Sequence, residues 1–258
     1  GYAENNQKSK AVVEFTDVLT QRLRTAKKVT VLTGAGVSAE SGVPTFRDPG
    51  GIWEKYRPEE LANFAAFISD PDFVWSWYQH RREIMREVLP NPGHFALAEM
   101  EGLFEEFNLI TQNIDNLHKR AGSRNVTELH GNIERNYCLK CRTFYNDLDV
   151  SEKKVLKCEK CGGIIRPDVV WFGEMLPESA LTYAENCSKT SDVFFSIGTS
   201  AEVYPAALLP LIAKRSGAYV VEINIKKTVM SMDLDEVLAG KSGEVLSSLV
   251  NKIKKMKN

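Results

Sequence analysis

Val29-Thr30-Val31-Leu32-Thr33-Gly34-Ala35-Gly36-Val37-Ser38-Ala39 is the stretch that decides the fold. Its first five residues form a short β-branched run that stops at glycine, which is typical of a buried parallel strand. The next six fit the pattern G-x-G-x-x-G/A, at the point where a helix should begin. Glycines at such a turn let the backbone approach a pyrophosphate, and the helix N-terminus supplies N–H donors. The glycine pattern alone has low specificity, but its place directly after a strand favours a dinucleotide-binding turn.

Further short apolar runs, with helical patterns between them, extend this unit to an open α/β sheet. Strands are predicted at 109–111, 193–197 and 219–223, and helices at 11–25, 95–107 and about 243–257. A second turn of small residues, Gly198-Thr199-Ser200, follows the run at 193–197. Because open α/β sheets bind ligands at the carboxyl ends of their strands, we expect both turns to converge on one crevice.

The composition of the chain excludes several classes of protein. Among 258 residues, 33 Lys+Arg face 34 Asp+Glu, and this balance argues against a DNA-coating protein. No apolar run approaches the ~20 residues that span a bilayer, and the polar start at 1–10 shows no signal peptide. We therefore expect no membrane association, no direct nucleic-acid binding and a cytoplasmic location, with a mitochondrial or nuclear one left open. Five cysteines are too few for a disulfide scaffold.

Four of these cysteines predict a metal site. Cys138-x-x-Cys141 is followed, after sixteen residues, by Cys158-x-x-Cys161. Each pair forms a tight knuckle, and two knuckles complete a tetrahedral zinc site. Four protein ligands leave no position for water, so one zinc ion with a structural role is predicted. The alternative, a redox dithiol, would not need two pairs.

Two stretches interrupt the α/β pattern. Residues 47–92 are rich in aromatic side chains, and residues 134–168 carry the four cysteines. We expect these insertions to form a smaller lobe, a helical module plus a zinc module. The remaining segments, 11–46, 93–133 and 169–258, would then form the larger domain with the sheet.

Polar residues mark a third strand end. Gln112, Asn113 and Asp115 follow the run at 109–111 and could bind an amide and sugar hydroxyls. Helix capping by Asn113 or Asp115 explains the same residues equally well. His130 lies between a short strand and the zinc module. A lone histidine is more often a structural residue with its hydrogen bonds satisfied than a catalytic base.

Together these residues resemble one family, the sirtuins, which are NAD-dependent protein lysine deacylases. The matching segments occur in family order and cover roughly residues 20–250: Gly34 to Arg47, Thr111 to Asp115, Leu129 to Gly131, the four cysteines, Val169 to Glu174, Gly198 to Ser200 and Glu222 to Asn224. The resemblance implies a Rossmann-like domain and a small zinc-bearing domain, with NAD and the acyl-lysine of a protein or peptide in the cleft between them.

The resemblance also implies the reaction and its residues. The acyl oxygen attacks the nicotinamide ribose, and the products are free lysine, nicotinamide and O-acyl-ADP-ribose. His130 resembles the general base, for which a neutral imidazole near pH 7 is suited. Around NAD the resemblance places Gly34, Ala35, Gly36, Ala39, Glu40, Phe46, Arg47, Gln112, Asn113, Asp115, Gly198, Thr199, Ser200, Asn224 and Ser242. Around the acyl-lysine it places Ala62, Tyr78, Arg81, Val170, Trp171, Phe172, Gly173 and Glu174.

One pair of residues indicates which acyl groups the enzyme would remove from lysine. Tyr78 and Arg81 are three residues apart, hence on one helix face. They resemble the signature of sirtuins that remove malonyl, succinyl and glutaryl groups, since a phenol and a guanidinium can bind a carboxylate. We therefore predict a desuccinylase or demalonylase with weaker deacetylase activity. The alternatives are a general deacetylase, a mono-ADP-ribosyltransferase on the same fold, or an NAD-responsive binding module.

Overall fold

The computed structural model describes residues 13–43 and 55–258. Its strands are β1 (Lys28–Thr33), β2 (Glu106–Thr111), β3 (Val126–Glu128), β4 (Gly131–Cys138), β5 (Phe144–Tyr145), β6 (Ile165–Val169), β7 (Val193–Ile197), β8 (Tyr219–Asn224) and β9 (Glu236–Ala239). Its α-helices are α1 (Asp17–Thr25), α2 (Ala35–Ala39), α3 (Pro58–Leu61), α4 (Phe64–Ser69), α5 (Pro71–Glu87), α6 (Pro92–Met100), α7 (Leu117–Arg120), α8 (Glu178–Thr190), α9 (Leu209–Arg215) and α10 (Ser242–Lys257), with short 3₁₀ turns at Ala206–Leu208 and Ser231–Asp233. None of these described helices is both long and apolar enough to cross a bilayer.

Six strands form one parallel sheet in the order β3-β2-β1-β7-β8-β9. The strand order reverses between β1 and β7, which makes their carboxyl ends the switch point where ligands bind in such sheets. Helices cover both faces of the sheet. Val29 and Val31 of β1 pack in one apolar cluster with α1, α6 and α10, whereas Leu32 packs in a second cluster with α8 and α9. The predicted α/β class is confirmed.

The helix predicted at 95–107 is shorter than expected. Helix α6 ends at Met100, and Phe107 lies buried in β2. Leu103, Phe104 and Phe107 fit helical spacing, but the chain turns at residues 101–105 and a strand residue fills the same apolar cluster. Periodicity could not separate these alternatives, because a buried strand and a helix face both require apolar residues here.

A second, three-stranded sheet has the order β5-β4-β6 and carries the four cysteines. Helices α3, α4 and α5 pack against it through an apolar cluster that includes Phe67, Trp77 and Tyr78 from the helices and Ile133 and Trp171 from the sheet side. The two insertions therefore contact each other in space, although more than forty residues of chain lie between them.

Candidate functional site

The two glycine turns meet at the switch point of the large sheet. Gly36 N–H donates to the Gly198 carbonyl at 2.8 Å, and a Cβ on Gly36 would lie 2.7 Å from Gly198 Cα. Gly198 itself has φ +64°, a left-handed conformation that favours glycine. Side chains at either position would push β1 and β7 apart, so the glycines keep the turn narrow enough for a backbone-lined ligand site.

A cavity of about 310 Å³ opens beside these turns, at the carboxyl end of β8. Six of the predicted NAD residues line it: Gly36, Ala39, Glu40, Gly198, Asn224 and Ser242. Asn224 donates through Nδ2 to the carbonyl of Thr199 at 2.8 Å, which fixes the second turn. The Ser242 hydroxyl is buried and has no hydrogen-bond partner among the described residues. A buried unsatisfied hydroxyl is costly, so a polar ligand in this cavity would satisfy it.

A second cavity, of about 410 Å³, lies on the other side of α2. Its lining includes Gln112, Asn113 and Asp115, the three polar residues predicted to bind NAD at the end of β2. Ala35 and Arg81 also line it. Asn113 Nδ2 donates to the Gly34 carbonyl at 2.9 Å and so ties this strand end to the glycine turn. Ala39 borders both cavities. The two cavities therefore suit the two ends of one elongated ligand that passes over α2, as a dinucleotide would.

Asp115 takes the helix-capping role that the sequence left open and also binds α2. Its Oδ1 accepts the N–H of Leu117 at 3.0 Å, at the start of α7, and its Oδ2 accepts the Ser38 hydroxyl at 2.6 Å. The carboxylate therefore caps a helix and also anchors α2, the helix between the two cavities.

Two buried histidines, which the sequence analysis missed, support this arrangement. His94 Nε2 lies 3.2 Å from the Ser38 hydroxyl, and His118 Nε2 lies 2.8 Å from the Thr33 hydroxyl. Burial lowers the pKa of His94 to about 4 and that of His118 to about 3. Both rings are therefore neutral at pH 7. The capping spacing from Asn91 to His94 is a signal that could have identified the first, but none marks the second.

His130 projects from the junction of the two sheets, between β3 and β4. Its Nδ1 lies 2.9 Å from the Gln112 carbonyl, which can only accept, so Nδ1 carries the proton and Nε2 keeps its lone pair. Burial lowers the pKa of this imidazole, although the bond to Gln112 opposes the shift. A neutral imidazole with a fixed tautomer and a free lone pair can accept a proton at neutral pH.

Helix α5 and the segment after β6 bring the predicted acyl-lysine residues together. Trp171 is buried, and its Nε1 donates to the Tyr78 hydroxyl at 2.8 Å. The Ala62 carbonyl accepts the N–H of Phe172 at 2.9 Å. The guanidinium of Arg81 stacks 4.6 Å from the Trp77 ring centre and 5.2 Å from that of Tyr78, and it lines the second cavity. Ala62, Tyr78 and Trp171 thus belong to one buried apolar cluster, and Arg81 lies between this cluster and the second cavity.

The segment from Val170 to Glu174 starts beside His130 and turns at Phe172 and Gly173, where the Glu174 N–H donates to the Trp171 carbonyl at 3.0 Å. Val170 N–H donates to the His130 carbonyl at 2.9 Å, so the segment starts beside the histidine. Glu174 accepts hydrogen bonds from Arg166 at 2.8 and 2.9 Å and from the Trp171 N–H at 2.8 Å. Its carboxylate therefore stabilises the segment itself. Phe172 is exposed, and Gly173 has φ +85°.

The four cysteines form the predicted metal centre. Their sulfur atoms all lie within 4.8 Å of one another, with Cys138 to Cys161 at 3.4 Å and Cys141 to Cys158 at 3.6 Å. Sulfurs about 3.8 Å apart are what a tetrahedral zinc ion with bonds of about 2.3 Å requires. No disulfide joins them. The geometry thus fits one structural zinc ion bound by the four thiolates.

Three of the residues predicted to bind NAD are not part of the site described above. Phe46 and Arg47 lie outside the described residues. Ser200 is exposed at the second turn, where its hydroxyl accepts the N–H of Glu202 at 3.3 Å, and it lines neither of the two cavities.

Comparison with known proteins agrees with this geometry. The sequence pattern of the Sir2 family matches residues 34–205. The "NAD-dependent protein deacylase 2" of Pyrobaculum aerophilum is 52% identical over 234 residues, which cover 90% of this chain and 94% of that protein. A crystal structure of a Sir2 homologue in complex with NAD superposes with a TM-score of 0.89 at 45% identity and covers 97% of this chain and 98% of the other. A Sir2 protein bound to a myristoylated histone peptide gives a TM-score of 0.74 at 37% identity, with 92% and 95% covered.

Proposed function

Because the chain belongs to the Sir2 family and is an NAD-dependent protein deacylase, we propose that it prefers lysines that carry an acidic acyl group, such as succinyl or malonyl. The observation that carries this proposal is the position of Arg81. Its guanidinium stacks on two aromatic rings of α5 and lines the cavity that also contains Asn113 and Asp115. In the proposed complex this cation would lie beside the end of the acyl chain.

The physical argument concerns the cost of burying a carboxylate. A succinyl group ends in a negative charge, and removing it from water without a partner costs several kcal/mol. A guanidinium offers a planar pair of donors that match a carboxylate, and the nearby Tyr78 hydroxyl offers one more. An acetyl group has no charge to pair, so Arg81 gives it no comparable advantage.

The remaining residues would then act on NAD and on the lysine. The small-residue turns, Asn224 and Ser242 bind the adenosine half, and Gln112, Asn113 and Asp115 bind the nicotinamide half. When bound, NAD supplies the ribose that accepts the acyl group. His130 accepts a proton at Nε2, since Nδ1 is committed to the Gln112 carbonyl. Val170 to Glu174 pairs with the backbone of the substrate as an added strand.

The test compares succinyl- and acetyl-lysine peptides of identical sequence. Arg81→Met should lower kcat/KM for the succinyl peptide by about ten- to a hundredfold, the range for a charge-assisted hydrogen bond, with a smaller loss for the acetyl peptide. Tyr78→Phe should act in the same direction more weakly. Arg86→Met, at an exposed position later on α5, is the matched control and should change neither rate. If the succinyl-to-acetyl ratio of Arg81→Met equals that of the unaltered protein, the proposal fails.

A further inference from the structure

A third cavity lies apart from the two that are lined by the predicted NAD residues. It measures about 510 Å³, and Val170 and Glu174, from the segment proposed to pair with substrate, form part of its wall. The zinc module contributes the opposite wall through Tyr137, Arg142 and Phe144. Phe144 and Met175 are exposed at its rim. The cavity therefore continues the proposed substrate groove toward the zinc module.

One arginine in the lining of this cavity, Arg142, has no ion pair among the described residues. The lining contains two carboxylates, and each has an arginine partner: Glu174 accepts from Arg166 at 2.8 Å, and Asp168 accepts at 3.0 Å from Arg135, which also pairs with Glu128 at 2.6 Å. Arg142 forms no ion pair with any described residue. Its guanidinium instead lies 5.4 Å from the ring centre of Tyr137. Arg142 is therefore the one charged side chain of this lining without an ion-pair partner among the described residues.

The backbone fixes the position of this arginine. Arg142 directly follows Cys141, its N–H donates to the Cys138 carbonyl at 2.9 Å, and its φ is +65°. An arginine in a left-handed conformation is uncommon, and here the metal knuckle imposes it. The turn thus fixes where the side chain leaves the backbone, and the guanidinium lies over the ring of Tyr137.

We infer that this cavity receives an acidic side chain that lies close in sequence to the acyl-lysine of the substrate, with Arg142 as its partner. The inference rests on the proposed function, which places the substrate backbone along Val170 to Glu174. Charge complementarity selects Asp or Glu, and continuity with the substrate groove makes the occupant a part of the same peptide. The zinc module would then contribute to the choice of protein substrate as well as to stability.

The experiment is a scan of flanking positions. Acyl-lysine peptides in an alanine background carry Glu, Gln or Lys at each of the three positions before and after the lysine, and fluorescence anisotropy gives their Kd. At one position at least, Glu should bind about two- to fivefold more tightly than Gln, the range of a solvent-accessible ion pair, and Lys should bind more weakly. The preference should decrease as the salt concentration rises. Arg142→Glu should reverse the order, so that Lys binds more tightly than Glu.

The controls separate this inference from the proposed function. Arg215→Glu makes the same charge change at an exposed site at the end of α9, away from the cavity, and should keep the preference for Glu. Unchanged zinc content and thermal midpoint would show that Arg142→Glu keeps the knuckle intact. Because Kd is measured without turnover, the scan can be interpreted even if the protein does not prefer acidic acyl groups. Equal affinities for Glu, Gln and Lys at all six positions, or the same order in Arg142→Glu, would overturn the inference.

Discussion

Replacing Arg82 with Met should loosen the contact between helix α5 and the zinc module. Arg82 is buried, and its guanidinium donates to the Ile133 carbonyl at 2.6 Å, to Asn136 Oδ1 at 2.5 Å and to Gln79 Oε1 at 3.0 Å. No described carboxylate lies within ion-pair distance, so neutral acceptors and the face of Trp75 hold the charge. Burial lowers the pKa of this guanidinium to about 10, and it therefore remains protonated at pH 7.

The expected loss follows from these contacts. A hydrogen bond to a charged group is worth about 1.5–3 kcal/mol, but three bonds from one group are not additive. Methionine also restores part of the apolar packing. We expect a loss of about 3 kcal/mol in the free energy of unfolding, which for a chain of this size lowers Tm by about 6–12 °C.

Urea and thermal unfolding of Arg82→Met measure this loss directly. Arg86→Met, one turn further along α5 and exposed, is the control and should change the free energy of unfolding by less than about 0.5 kcal/mol. A loss below about 1 kcal/mol for Arg82→Met would refute the view that this guanidinium joins the helical module to β4. Because α5 also carries Tyr78 and Arg81, the variant should bind acidic acyl-lysine more weakly as well.

Three further outcomes follow from the structure. Chelation of zinc, or Cys141→Ser, should release the ion and lower Tm, because metal binding contributes to folding; a metal-free protein with an unchanged Tm would contradict the structural role. His130→Ala should lower kcat/KM by at least ~10²-fold at an unchanged Tm, and near-normal turnover would exclude His130 as the base. His94 and His118 stay neutral in the folded protein, so the unfolded chain binds more protons below the ordinary pKa of 6.5. The free energy of unfolding should therefore fall as pH drops from 6.5 toward 4, by up to about 2.7 kcal/mol per pH unit for two protons. Urea titrations should show a shallower fall with pH in His118→Asn. The same pH dependence in His118→Asn as in the unaltered protein would exclude His118 as a cause of the fall.

The parts of the site that the sequence predicts are those with local signals. A β-branched run before Gly34 and Gly36 marks the first turn, because only a strand followed by a close backbone approach needs that order of residues. The cysteine spacing marks the metal centre in the same way, since each pair must form one knuckle. The resemblance added roles to residues such as His130 that have no local signal of their own.

The parts that the sequence does not predict arise from contacts between distant segments. Ser38 and Asp115 are 77 residues apart, and Arg82 reaches Asn136 across 54 residues. Nothing in the pattern around Arg82 distinguishes it from the exposed Arg86 on the same helix. Which arginine is buried depends on the packing of α5 against β4, and that packing exists only in the folded chain.

The most direct test of the central claim is the acyl preference of the unaltered protein. One peptide sequence carrying acetyl-, malonyl-, succinyl-, glutaryl- or myristoyl-lysine is incubated with NAD, and kcat/KM is measured from release of the free lysine peptide and of O-acyl-ADP-ribose. The position of Arg81 predicts that an acidic acyl group gives the highest kcat/KM, at least about tenfold above acetyl. A highest value for acetyl or myristoyl would contradict the claim and would identify a deacylase for uncharged acyl groups.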